Sequence, residues 1–314
     1  MSAEASFIAA LRELATDPAA RGLIDDAAAL EVGGARLVLT HDMIVEGVHF
    51  RSDDPAEDVA WKLVAVNLSD LAAKGARPIG ALVGYMLGDP AWNTAFVEGL
   101  GRTLAAFALP LLGGDTVAGP AGAPRTFSLT AIGEATGPVP SRTGAKAGDD
   151  LWVSGSIGDA GAGLAVLQGE LGGDEALVRR YCAPRPRLEA GQALAPLVTA
   201  MMDVSDGLLI DAARLGHASG MGVALELDIV PLSDAFLTAL GDGREARLRA
   251  ATAGDDYELL FTAPTQTRHC IAELAERLGL PLTRIGRIEP GAGLTLTDAE
   301  GAILVPDRLG YEHG

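Results

Sequence analysis

Apolar runs of two lengths alternate along the first half of the chain. The short ones, bounded by Gly, Pro or Asp, predict strands at ARLVLT (35–40), PIGALVGYML (78–87), LPLLGG (109–114) and TFSLTAIGEA (126–135). The longer ones predict helices over 54–76 and 89–108. Each opens on Asp-Pro, with Asp54 a candidate N-cap for the first. A Gly/Pro-rich turn separates 109–114 from 126–135 and predicts that these strands pair antiparallel. Residues 136–149 concentrate Gly, Pro and small polar side chains and read as a link between domains. The pattern then restarts with a strand at 150–155 and helices near 158–168, 174–182 and 186–198. A short strand, an acidic turn and a helix share 199–216, and strands follow at 222–228, 257–263 and 283–289. This order predicts an α/β (α+β) fold of two mixed-sheet domains, 1–138 and 139–314.

One stretch breaks its own pattern. AVNLSDLAAKGA (65–76) is an apolar helix in which Asn67 and Asp70, three apart, share a face with Val64, Leu68 and Leu71. An unpaired buried carboxylate is strongly disfavoured, so Asp70 needs a partner: a protein cation, water or a metal.

Composition narrows the choices. The 314 residues suit two domains, and 48% hydrophobic content gives each a sizeable core. With 40 glycines and only 4% aromatics, that core is expected to pack small side chains tightly. A net charge of −18 excludes a sequence-independent nucleic-acid binder, which needs basic surface. Phosphate ligands remain open, because divalent cations can bridge them to acids. Cys182 and Cys270 lack metal-ligand spacing and imply no disulfide framework. The opening MSAEASFIAALRELA reads as an amphipathic helix with acids in it rather than a signal peptide. No apolar run is long enough to span a membrane, so a cytoplasmic location is expected.

Acids recur where strands meet turns: Asp25 and Asp26, Thr40 with Asp42, Asp115 after two glycines, Asp203 and Asp206, and Asp255 with Asp256. Ordinary turn chemistry accounts for each one singly, and Asp206 is equally placed to cap the following helix. Together they are harder to dismiss. Converging carboxylates repel unless cations intervene, and magnesium, which accepts a few carboxylates, water and phosphate oxygens, is the expected cation. Open α/β sheets bind ligands at such strand ends.

No Walker-type P-loop is present. GSIGDAGAG (155–163) reads either as a helix N-terminus suited to an anion or as a tight turn. GGD (113–115) lets backbone approach a ligand closely, and Arg142 and Lys146 are rare cations suited to phosphate. His49 reads equally as a substrate contact and as a packed residue. No pair of histidines has ligand spacing, and no Ser/His/Asp or Cys/His nucleophile is evident.

In this order, DDAAAL, THDMIVEGVHF, KLVAVNLSDLAAKGARP, LLGGDT, SLTAIGE, SRTGAKAGD, VSGSIGDAGAGL, DVSDGLLID, GDDYELLFT and GYEH resemble the thiamine-monophosphate kinase family. That family belongs to the aminoimidazole-ribonucleotide-synthetase-like superfamily. The likeness spans residues 25–313. The resemblance implies ATP-dependent phosphorylation of thiamine monophosphate to thiamine diphosphate, in a homodimer with the active site in the interdomain cleft and several Mg2+ ions bound. Carried onto this chain, it implies metal ligands at Asp26, Thr40, Asp42, Asp70, Asp115, Asp203 and Asp206. ATP contacts map to Gly114, Asp115, Arg142 and Ser205, and substrate contacts to His49, Asp255 and Tyr311. It implies magnesium as the partner of Asp70, with Asn67 orienting that corner. Three positions depart from the family pattern: Ile24 where glycine is usual, His41 in place of a hydroxyl residue, and Asp255 in place of glutamate.

The acceptor would be a phosphomonoester with a second pKa near 6, already mostly deprotonated at pH 7, so no general base is required. Bringing two anions together is the barrier, and direct in-line transfer without a phosphoenzyme is expected. The competing readings are another ATP-dependent enzyme of the superfamily and a non-catalytic Mg-nucleotide-binding protein. Selenophosphate synthesis is disfavoured, since the first cysteine is Cys182.

Overall fold

The computed structural model describes residues 3–120 and 122–312. An N-terminal helix α1 (Ala3–Leu14) and a 3-10 turn (Pro18–Leu23) precede the first sheet. That sheet holds β1 (Ala28–Val32), β2 (Ala35–Val45), β3 (Arg77–Leu87), β4 (Leu111–Ala118) and β5 (Thr126–Ala135), with helices α2 (Ala56–Ala73) and α3 (Pro90–Ala106) in the connections. Strand order is β1-β2-β5-β3-β4.

The antiparallel pairing expected between 109–114 and 126–135 does not occur. β4 lies parallel to β3 at the sheet edge, and β5 runs antiparallel between β2 and β3. The reason is the α3 crossover, which returns the chain beside β3 in the same direction, as a βαβ connection does. Along β5 buried and half-buried residues alternate, so one face of the sheet is core and the other is left uncovered.

Helix α2 covers the core face. From Val59 to Ala73 every residue except Trp61 is buried, polar ones included, because the second half of the molecule packs on its far side. A helix buried all round needs no polar stripe, which is why its pattern read as apolar with misplaced polar residues. Val64, Leu68 and Leu71 join the core of the first sheet, whereas Ala72 and Ala73 join a core with Leu194 and Phe261. Asp54 does not cap this helix. Pro55 occupies the cap position, and Asp54 Oδ2 accepts from the Arg51 N–H at 2.8 Å. In α3 the expected signal holds: Asp89 caps Ala91 and Trp92.

The second sheet contains β6 (Asp150–Ser154), β7 (Ala200–Asp203), β8 (Gly222–Glu226), β9 (Leu259–Ala263), β10 (Leu282–Glu289), β11 (Gly293–Thr297) and β12 (Ile303–Leu304), in the order β12-β11-β8-β10-β6-β9-β7. Around it lie α4 (Asp159–Leu167), α5 (Glu175–Cys182), α6 (Leu188–Leu194), α7 (Leu208–Ala218), α8 (Asp234–Leu240), α9 (Arg244–Thr252) and α10 (Arg268–Leu278). Within this sheet, among the described residues, only the β8–β11 pair is parallel, as only β3–β4 is in the first, so both sheets are mixed.

Helix α6 meets α2 at Gly191, where a Cβ would lie 1.9 Å from the Ala72 carbonyl oxygen. Gly191→Ala is expected to lower stability by about 1–3 kcal/mol through overpacking, read as a lower urea midpoint at unchanged slope. An unchanged midpoint would show that this helix contact relaxes freely. Among the described residues, no helix is long and apolar enough to cross a membrane.

Candidate functional site

Three carboxylates on separate elements converge where the two sheets meet. Asp26 precedes β1, Asp70 projects from the C-terminal half of α2, and Asp203 ends β7. One oxygen of each lies within 4.8 Å of the others. Hydroxyl groups aim them: Thr40 on β2 donates to Asp70 Oδ2, and Ser69 Oγ donates to Asp203 Oδ2 at 2.5 Å. Asn67, wholly buried, accepts the Asp42 N–H at 3.0 Å and donates to the Leu63 carbonyl at 2.9 Å, which ties α2 to the interior of β2, a strand that runs on to Val45 rather than ending at residue 40. Asp42 and Asp206 line the same cleft, whose volume is about 810 Å3.

The cluster is electrostatically unfinished. Burial, then the neighbouring Asp26 and Asp206, pushes Asp42 up to about 6. Burial, with Asp26 beside it, pushes Asp203 up to about 8. Burial and the flanking Asp42 raise Asp70 well above the usual carboxylate range. Asp26 Oδ2 makes no hydrogen bond of good geometry, although Lys74 Nζ lies 2.6 Å away. Two cations border the group. Lys74, completely buried, reaches Asp25 at 2.5 Å and the Met201 carbonyl at 3.1 Å. Arg142 Nε donates to Asp26 Oδ1 at 2.7 Å. Burial works to raise Asp25, but Lys74 and Arg21 outweigh it and hold the group at about 2.

The turn after β7 is clasped from within. Asp211 on α7 accepts from the N–H groups of Ser205 and Asp206 at 3.1 and 3.0 Å, and Arg214 pairs with both Asp206 and Asp211. Asp206 is therefore not the helix cap; Gly207 holds that position. The segment ahead of β9 locks onto this turn, with Asp255 N–H donating to Ser205 O and Tyr257 N–H to Val204 O, each at 2.8 Å. Both Asp255 and Tyr257 sit at positive φ, 71° and 51°, a strained arrangement for residues other than glycine. Asp256, between them, caps the N-terminus of α4 through Gly158 and Ala160, so that helix end already holds a carboxylate of the chain itself. His49 Nδ1 accepts the Val45 N–H at 3.1 Å, which places the proton of the neutral ring on Nε2.

Of the residues singled out in the sequence, Asp26, Asp42, Asp70, Asp203, Asp206, Arg142, Ser205, His49, Asp255 and Tyr311 line this one cleft, and Thr40 lies directly beneath Asp70. Gly114 and Asp115 do not join them. They lie on the exposed edge strand β4, where Asp115 borders a separate shallow hollow with Met43 and Ser128. His41 points to the uncovered sheet face and bonds Thr130 Oγ1 at 2.9 Å, so its substitution leaves the cluster untouched. His313 lies outside the described residues. Lys62, Lys74, Asp211 and Arg214 escaped the sequence reading. The available signal was a lysine set inside the apolar run of α2, which no amphipathic surface accounts for.

Residues 24–135 match the family model of the AIR synthase related protein N-terminal domain, and residues 146–299 that of its C-terminal domain. A thiamine-monophosphate kinase of Caulobacter vibrioides is 40% identical over 307 residues, covering 95% of this chain and 86% of that protein. The Escherichia coli thiamine-monophosphate kinase is 36% identical, covering 93% and 91%. Among solved structures, the thiamine-monophosphate kinase of Stenotrophomonas maltophilia superposes with a TM-score of 0.76 at 38% identity, over 93% of this chain and 94% of that one. AaThiL complexed with AMPPCP and TMP superposes with a TM-score of 0.82 at 29% identity, over 98% and 96%.

Proposed function

The chain belongs to the thiamine-monophosphate kinase family of AIR-synthase-related proteins, and from that premise we propose how its cleft performs the family reaction. The enzyme transfers the γ-phosphoryl group of ATP to thiamine monophosphate, giving thiamine diphosphate and ADP. The observation that carries the reading is the meeting of Asp26, Asp70 and Asp203 beside Arg142, Ser205, His49 and Asp255 in one cleft.

The residues present fit magnesium. The donors are hard oxygens, three carboxylates each bring one within 4.8 Å of the others, and Asp26 Oδ2 is buried without a well-formed hydrogen bond. Asp26, Asp70 and Asp203 would hold the ion, with Asp42, Asp206 and Thr40 bordering further positions. When bound, it supplies the charge neutralisation that two phosphate anions need. Arg142 is placed to exchange its contact with Asp26 for phosphate oxygens, and the Ser205 turn, braced by Asp211, offers a rigid edge to the nucleotide. His49, Asp255 and Tyr311 line the acceptor side. The acceptor phosphate is mostly dianionic at pH 7, so these residues orient it rather than take a proton from it. The transfer is direct and in line, without a phosphoenzyme.

The domains are assigned as 1–138 and 139–314. The uncovered face of the first sheet favours a homodimer. Met43, Leu82, Leu112 and Val117 are 52%, 41%, 59% and 61% exposed on it, and a second copy would bury them. Gly114 and Asp115 lie at that face, so their assigned roles in nucleotide and metal binding depend on the paired form. The location is cytoplasmic, in keeping with a biosynthetic kinase.

The test is phosphorus NMR of the protein with ATP and Mg2+, with and without thiamine monophosphate. ADP and a new diphosphate signal are expected to rise together, only when the acceptor is present. Nucleotide binding without turnover would instead leave a non-catalytic Mg-nucleotide-binding protein.

A further inference from the structure

Lys62 sits in the middle of α2 with 2% of its side chain exposed, and the chemistry described above does not use it. Its ammonium donates to the His49 carbonyl oxygen at 2.8 Å and to Asp255 Oδ2 at 2.9 Å. It also stands 3.9 Å from the centroid of the Tyr181 ring. These partners come from three separate places: the loop after β2, the strained segment ahead of β9, and α5. A buried ammonium is tolerated only when such partners hold it, and they are located by it in return.

The partners matter because of what else they touch. The loop whose carbonyl Lys62 holds is the one that aims the His49 imidazole, through the Val45 N–H. Asp255, besides Lys62, accepts from the Tyr257 hydroxyl at 3.2 Å, and its backbone is bonded to the Ser205 turn. One rigid helix thus carries the metal-side Asp70 and, two turns earlier, the cation that spaces His49 from Asp255.

We propose that Lys62 is a positioning residue for the acceptor: by fixing the separation of His49 and Asp255 across the two halves, it sets the pose of thiamine monophosphate without touching it. The inference rests on His49 and Asp255 being acceptor contacts.

The experiment is steady-state kinetics in both substrates for full-length Lys62→Met, Lys62→Arg and Asp255→Asn. Lys62→Met is expected to raise KM for thiamine monophosphate on the order of tenfold while KM for ATP stays within about twofold, and Lys62→Arg recovers part of the loss. A merely structural lysine would instead lower the active fraction or move both KM values together, and either result overturns the proposal. Should Lys62→Met fail to fold, Tyr181→Leu leaves the charge in place but removes the ring. It is expected to raise the acceptor KM alone by about threefold, and an unchanged KM overturns the proposal. Asp255→Asn separates the two ideas. If it raises the acceptor KM and Lys62→Met does not, the lysine proposal fails by itself; if neither does, the acceptor assignment fails with it.

Discussion

Asp70→Asn is expected to lower kcat on the order of 10²–10³-fold while the protein stays folded. Asparagine has nearly the same shape and keeps an oxygen for the Thr40 hydroxyl, so packing around α2 is retained. What disappears is the ionisable group of one of three carboxylates whose oxygens lie within 4.8 Å of one another inside the protein. Without metal, that charge is a liability, because burial and its neighbours Asp42, Asp203 and Asp26 all disfavour ionising Asp70. The metal-free variant should therefore melt no lower than the wild type. With Mg2+ added, the wild type should gain stability and the variant little. Turnover by Asp70→Asn near the wild-type rate would remove Asp70 from the reaction altogether.

The same crowding makes stability depend on pH in a definite direction. Asp42 and Asp203 are pushed from 3.8 to about 6 and about 8, and Asp211 to about 6, with burial the first cause in each case. A folded state with raised carboxyl values keeps protons that the unfolded chain releases. Its stabilisation is complete below about 4 and is lost as pH rises through 6 and then 8. Asp25, held at about 2, has the opposite sign but acts only below about 4, outside this window. Metal-free protein is thus expected to melt progressively lower from pH 5 to pH 8. Magnesium binds the ionised carboxylates, so its benefit should grow over the same range. At a hundredfold excess over Kd it reaches about 2.7 kcal/mol. Thermal unfolding in chelator and in MgCl2 at pH 6, 7 and 8 checks both slopes. A metal-free midpoint that climbs with pH would contradict the carboxylate arrangement, and equal magnesium shifts at all three values would contradict the ligand assignment.

Much of this was legible in the sequence because it lay in local signals. The Asp89 cap, the strand at 126–135 and the polar intrusions of α2 each follow from residue spacing. The carboxylates were found because acids in such number have few structural uses, although Asp42 and Asp115 lie inside β2 and β4 rather than at strand ends. The strand order was not legible. It depends on which side of β3 receives the crossover, and a Gly/Pro-rich segment looks the same in a hairpin as in a longer return. Asp54 missed its cap because its carboxylate is engaged by Arg51, an interaction set by the loop rather than the helix. Lys62 and Lys74 were invisible for a different reason. A lysine in a helix ordinarily marks its wet side, and only the packing of the second half over α2 turns these two inward. Gly114 and Asp115 read as one motif with the other acids, yet the edge position of β4 separates them from the rest within a single chain.

Helix α2 has a consequence for how the molecule comes apart. It is encoded with the first sheet, but Ala72 and Ala73 complete the interior of the second half, and Lys74 reaches the Met201 carbonyl there. Covalent order and cooperative order therefore differ. A boundary placed near residue 138 divides the sequence, whereas the packing of α2 joins both sides of it, so the two are expected to melt together. Opening the halves like a hinge would uncover Ala72 and Ala73 and break the contacts that Lys62, Ser69 and Lys74 make with the second half. Substrates and products are then expected to exchange by movements of loops and side chains at the rim rather than by a hinge between the halves.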